Sequence, residues 1–109
     1  MKAPAALLLT LALVPGAATA GEIYGTIREG GKPLAAGARV TVACGGKNAT
    51  ADTDKNGSYR LFAAEEGKCT LTVNVGGESP SIEIHSYADS ARYNLVVEKK
   101  DGKRTLRTE

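Results

Sequence analysis

Asp52-Thr53-Asp54-Lys55-Asn56-Gly57-Ser58-Tyr59-Arg60-Leu61 decides how the rest of the chain is read. Asn56-Gly57 is the dipeptide that most readily supplies the positive φ angles of a tight hairpin turn, and alternation begins directly after it. Tyr59 and Leu61 fall on one side and Ser58, Arg60 and Phe62 on the other, so one strand ends before the turn and a half-buried strand follows. Asp52-x-Asp54-x-Asn56-Gly57 also reproduces the first half of a calcium loop, with oxygen ligands at alternate positions and Gly at the bend. The second half is missing, because the loop position that needs a bidentate Glu is Ala63 and the flanks read as strand rather than helix. Asp52, Asp54 and Asn56 are weak metal candidates beside the plainer reading of a turn. In that turn Asn56 and Gly57 carry the stability, and Asp52 and Asp54 contribute little.

Working outward, Glu22 to Arg28 alternates as a first strand with Ile23, Gly25 and Ile27 inward. The cluster Glu29 to Pro33 turns the chain, Arg39 to Cys44 is a second strand, and Gly45 to Asn48 turns it again before a short strand from Ala49 to Thr53. Beyond Phe62, Lys68 to Val75 and Ser81 to His85 alternate, and Arg92 to Lys100 and Lys103 to Thr108 flank Asp101-Gly102, the second strong hairpin signal. Seven or eight short strands with turn signals between them, one apolar face each and no amphipathic helix predict an all-β antiparallel sandwich in a single domain, residues 21–109.

Residues 1–20 differ from the rest. Lys2 is their only charge, an apolar run extends to about Val14, and Ala18-Thr19-Ala20 ends it with small residues, the pattern of a cleavable secretory signal. The run is too short to span a bilayer and Pro15-Gly16 breaks it. No Cys stands near the cleavage site to carry a lipid, so a soluble exported chain beginning at Gly21 is expected. Cys44 and Cys69, the only cysteines, lie in phase with the inward residues of their strands, and export takes them to where thiols oxidise. A disulfide between them is expected; a redox or metal pair is the competing reading, poorly served by the spacing and by a single histidine.

The formal charge of +2 includes Lys2, so the mature chain carries one positive charge fewer and gives no reason to expect nucleic acid as a partner. Lys99, Lys100, Lys103, Arg104 and Arg107 crowd the C-terminal end. They read either as a docking patch for an acidic partner or as charges that discourage indiscriminate edge pairing, and the second is favoured.

Ile23-Tyr24-Gly25-Thr26-Ile27, Gly31-Lys32-Pro33-Leu34, Gly37-Ala38-Arg39-Val40, Thr53 to Leu61, and Glu66-Gly67-Lys68-Cys69-Thr70-Leu71-Thr72-Val73 together resemble the carboxypeptidase regulatory-like domain family. The resemblance runs from Glu22 to about Val97 and rests on turn and strand positions of a scaffold. It implies a prealbumin-like Greek-key β-sandwich serving as an accessory, non-enzymatic module among exported proteins. Cys69 stands where that family commonly has an aromatic.

Chemistry is sparse in these residues. His85 is the only histidine and sits on the polar face of a short strand, so neither a nucleophile–base pair nor a zinc ligand set can be assembled around it. The prealbumin-like fold also includes hydrolases acting on a purine-degradation intermediate, but their His-rich beginning and Tyr-Arg-Gly-Ser ending have no match. Sugar stacking would call on Tyr24 and Tyr87, since Tyr59 and Tyr93 share faces with core residues. Asn48-Ala49-Thr50 and Asn56-Gly57-Ser58 match the glycosylation sequon. The expectation is a non-catalytic exported β-sandwich without a cofactor, binding or supporting another extracytoplasmic protein, through a sheet edge or a surface including Tyr24, Tyr87, Lys103, Arg104 and Arg107. The alternative is a carbohydrate- or cation-binding module.

Overall fold

A computed structural model describes residues 21–109; the expected signal segment, residues 1–20, lies outside the described residues. Ten strands follow in order: β1 (Glu22–Glu29), β2 (Lys32–Pro33), β3 (Arg39–Cys44), β4 (Lys47–Asp52), β5 (Ser58–Phe62), β6 (Gly67–Asn74), β7 (Ser81–Ser86), β8 (Ala91–Arg92), β9 (Leu95–Lys100) and β10 (Lys103–Thr108). They form two sheets. In the first, β10, β9, β1 and β2 lie side by side, with β5 and β8 also paired to β1; in the second the order is β4, β3, β6, β7. The inward residues of both sheets meet in one core, where Ile23, Ile27, Leu71, Leu95, Val40, Val42, Val73 and Val97 are fully buried. Each such aliphatic side chain contributes about 1.5–3 kcal/mol on leaving water, which is what holds two half-polar sheets face to face.

Three expectations are corrected here. The sheets are not antiparallel throughout, because β1 runs parallel to β8 and β9. The strand read as Arg92 to Lys100 is split at Tyr93 and Asn94. There the Asn94 side-chain oxygen replaces a ladder acceptor, taking the Thr26 amide at 3.1 Å and the Thr26 hydroxyl at 3.3 Å. The third concerns the opening stretch. Asn56-Gly57 does not join a hairpin, since β4 belongs to the second sheet and β5 pairs with β1 in the first.

Only Gly57 of that dipeptide has positive φ, at 73°. Asp54 organises the crossover instead: its Oδ1 accepts the amides of Asn56 at 2.8 Å and Ser58 at 3.0 Å, and its own amide donates to the Ser58 carbonyl at 3.0 Å. Those two amides, Ser58 first, hold the Asp54 carboxyl below the usual carboxylate range. Buried Thr53 completes the departure from the second sheet. Its hydroxyl donates to the Ala35 carbonyl at 2.7 Å and accepts the Ala38 amide at 3.0 Å.

Two-residue hairpin turns with both φ values positive are Gly30-Gly31 between β1 and β2, Gly45-Gly46 between β3 and β4, Gly76-Gly77 between β6 and β7, and Asp101-Gly102 between β9 and β10. Cys44 and Cys69 are joined by a disulfide. They face each other on neighbouring strands β3 and β6 with Cα atoms 4.5 Å apart, the separation of a pair that exchanges no backbone bonds. That bond and the absence, among the described residues, of a helix long and apolar enough to cross a membrane are compatible with an exported protein.

Candidate functional site

Alternation on β1, β5 and β8 sends Tyr24, Arg60 and Arg92 to the outer face of the first sheet, where the register sets Tyr24 beside Arg60 on one side and Arg92 on the other. The Arg92 guanidinium carbon stands 5.3 Å from the centre of the Tyr24 ring, a cation–π contact. Arg60 is held by Glu22 at 2.6 Å across the β1–β5 pair. The β4-to-β5 crossover brings Asp52 and Asp54 up to this row, and together with Thr26, Ser58 and Tyr59 they line a groove of about 520 Å³. Below it, the Tyr59 hydroxyl donates to the Tyr93 carbonyl at 2.7 Å, and burial, with Tyr93 adding to it, pushes that phenol well above its ordinary range. Gly25 lets β1 pass close over the Tyr93 carbonyl, which a side chain there would strike.

The groove unites residues that the sequence kept apart. Tyr24 came from the sugar-stacking reading and Asp52 and Asp54 from the calcium reading, whereas Arg60 and Arg92 were not singled out. As cation ligands the acids are already committed: Asp52 is 3.5 Å from Arg39, and one oxygen of Asp54 is taken by turn amides. Asn56 makes no side-chain hydrogen bond among the described residues, and no group of three or more acidic, His or Cys side chains converges there. The expectation that Asp54 contributes little to the turn is therefore corrected; its carboxylate is the turn's centre and Asn56 supplies only its backbone.

The C-terminal basic cluster is dispersed by its partners. Arg104 is half-buried, with a side chain 17% exposed; its Nε meets Glu29 at 2.8 Å, its Nη1 meets Glu78 at 2.7 Å, and its amide donates to Glu78 at 2.9 Å. Glu29 and then Glu78 raise the guanidinium pKa, while the Arg104 amide leads the causes that lower Glu78. This clamp joins the end of β1, the 76–80 loop and β10, so Arg104 drops out of the proposed surface. Arg107 is paired with Glu98 at 2.7 Å, which leaves Lys99, Lys100 and Lys103 as the unpaired cations of that end among the described residues. Lys99, Lys100 and Arg107 border a second groove, of about 740 Å³, with Val96 and the Gly30-Gly31 turn.

Tyr87 is exposed, its ring 4.9 Å from that of His85. Phe62, at 61% exposed the most open large apolar side chain among the described residues, was passed over in the sequence although its alternation with Leu61 placed it outside. Both aromatics flank Gly21, which donates to the Tyr87 carbonyl at 2.6 Å and accepts from the Ala63 amide at 3.3 Å.

No family model matches the sequence, and no curated protein matches it either. Solved structures do share its fold. A 5-hydroxyisourate hydrolase from Klebsiella pneumoniae superposes with a TM-score of 0.58 at 18% identity, covering 82% of this chain and 93% of the hydrolase. The fold is a prealbumin-like β-sandwich. The Bacillus anthracis TIE protein gives 0.58 at 15% identity over 74% of this chain, and a candidate carbohydrate-binding protein from Bacteroides uniformis gives 0.51 at 16% identity over 81%. This chain spans 17% of the TIE chain and 53% of the Bacteroides one. The same fold thus occurs in an enzyme and within larger proteins. The expectation that the chain is not an enzyme is corrected accordingly: a structure of this fold, matched over nearly its whole length, is a hydrolase, so the sandwich gives no ground for excluding catalysis.

Proposed function

We propose that residues 21–109 are an exported binding module that engages another extracytoplasmic protein through the groove beside Tyr24. The observation that carries this reading is the row Arg60–Tyr24–Arg92 facing Asp52 and Asp54, a polar cleft that offers charges of both signs around one aromatic ring. Tyr and Arg are the residues most able to anchor an interface, and mixed charges select a complementary protein surface rather than a uniformly charged polymer. Membership of the carboxypeptidase regulatory-like family, with its Greek-key connectivity, belongs to this proposal too; it is supported by the prealbumin-like fold and by the motifs from Ile23 to Val73.

A carbohydrate ligand is the second reading, favoured by the exposed Phe62 and Tyr87 beside Gly21. Crosslinking in the native compartment followed by identification of captured proteins separates the two. The expected result is a partner captured by the native chain and lost with Arg92→Glu. Capture of nothing, with saturable glycan binding that Phe62→Ala or Tyr87→Ala abolishes, overturns it in favour of the second.

A further inference from the structure

A sandwich of two open sheets has four edges, formed here by β5 with the two-residue β2 and by β10 with the two-residue β8 in the first sheet, and by β4 and β7 in the second. Along an antiparallel edge strand the backbone groups point alternately to the neighbour and to the outside, so the outward set follows from the ladder. On β5, Ser58 faces outward but both its groups are taken by Asp54, and the rest of that edge carries Arg60. On β7, the Tyr93 hydroxyl accepts the His85 amide at 3.0 Å and donates to the His85 carbonyl at 2.7 Å. On β10, Glu78 accepts the Arg104 amide, and Lys103 and Arg107 flank what remains. Each of these three edges is partly closed by a side chain and guarded by charge.

β4 is neither. The Thr53 amide donates to the Ala38 carbonyl, which fixes Ala51, Ala49 and Lys47 as the residues bonded to β3 and leaves Asn48, Thr50 and Asp52 facing out. Among the described residues none of these six backbone groups has a protein partner. The middle of the strand, Asn48-Ala49-Thr50-Ala51, is uncharged, without Pro or bulge, and Asn48 and Thr50 are exposed. That central stretch lacks the devices by which edges avoid pairing.

We infer that the free edge of β4 is a self-pairing surface, to which a second copy of this chain adds its own β4 antiparallel about a two-fold axis at Thr50. The outward set is symmetric about Thr50, so this register satisfies all of it. Asn48 pairs with Asp52 of the second copy, Thr50 with Thr50, and Asp52 with Asn48, each pair exchanging two N–H···O bonds. The side chains agree with the backbone. Ser81, Thr72, Thr41 and Thr50 form one cross-strand row over the outer face of the second sheet, and the axis continues that row through Thr50 into the same four residues of the second copy. Asn48 meets a carboxylate able to accept from its amide while Arg39 holds the other side of Asp52. No like charges fall opposite one another, since Lys47 comes to face Thr53. The two four-stranded sheets become one of eight strands.

Residue-resolved amide exchange and sedimentation of the oxidised protein, from roughly 10 µM to 1 mM, test this independently of any other partner. Exchange at Asn48, Thr50 and Asp52 should slow about fivefold across that range as dimer forms, while Ala49 and Ala51, already bonded to β3, stay protected throughout. Thr50→Lys, which sets two cations face to face at the axis, should stay monomeric with Ala49 and Ala51 still protected, and Glu83→Lys on β7 should dimerise as the native chain does. A monomer at every concentration overturns the inference. So does a dimer that survives Thr50→Lys, or one whose new protection appears at Glu83 or Leu106.

Discussion

The Asp54–Gly57 crossover and the Asp101–Gly102 hairpin start from nearly the same signal and end differently. Asp101 and Gly102 both take positive φ, at 52° and 81°, and their flanking strands pair in register from Lys100–Lys103 outward. In the crossover Asn56 never enters that region, and the chain leaves one sheet for the other. The difference lies upstream of the dipeptide. Before Asp101 stand residues whose alternation simply continues; before Asn56 stand Thr53, buried and bonded to Ala35 and Ala38, and Asp54, whose carboxylate and amide seize Asn56 and Ser58. A turn dipeptide sets local dihedrals, and polar side chains just ahead of it decide which sheet the next strand joins.

The largest test of this contrast is the disulfide, because the loop closed by Cys44 and Cys69 contains the crossover and not the hairpin. Cys44→Ala with Cys69→Ala should cost about 3 kcal/mol in urea unfolding, on the chain-entropy argument. Next, Gly57→Ala should cost about 2–3 kcal/mol and Gly102→Ala about 1 kcal/mol. Both strain a positive φ, but only at Gly57 would the new Cβ strike backbone, at Ile27 O and Leu34 N. Equal losses at the two glycines would erase the distinction.

A smaller effect belongs to Asp54. Asp54→Ala should lower the urea midpoint more than Asn56→Ala does. The carboxyl is held below its unfolded value, so its contribution is complete above the ordinary carboxylate range and is lost as pH falls through the lowered folded-state value. The midpoint difference between the native chain and Asp54→Asn should therefore shrink in acid; a constant difference would mean the charge is not what the turn uses. Least of all, Lys103→Glu with Arg107→Glu should change stability by no more than about 0.5–1 kcal/mol, since Arg107 and Glu98 are an exposed pair. Loss of a salt-sensitive partner from this folded variant in a pull-down would show the basic end to be a docking patch.

Strand positions, the inward faces and the cysteine pairing were legible because a period of two and a shared apolar phase are local properties. Val40, Val42 and Cys44 on β3 and Cys69, Leu71 and Val73 on β6 announce their burial one residue at a time. What could not be read depended on partners far along the chain. The parallel pairing of β1 with β8 and β9 joins residues 23 and 91, and the role of Asn94 emerges only when Thr26 arrives beside it. The groove suffered the same limit: Tyr24 and the two acids were each noticed, but Arg92 becomes meaningful only over the Tyr24 ring. Arg104 looked like surface because five cations in a short span suggest a patch, and its neutralisers Glu29 and Glu78 come from the other end of the first strand and from a loop.

The bridge between β3 and β6 has a mechanical consequence. A chain pulled from its two ends can pay out only the residues outside the linked pair, and the 25-residue separation between Cys44 and Cys69 withholds about 85 Å of contour at roughly 3.4 Å per residue. Under tension β4, β5 and the start of β6 stay behind that covalent tie. An oxidised molecule stretched by its termini would therefore extend less at full unfolding than a reduced one, by nearly that length.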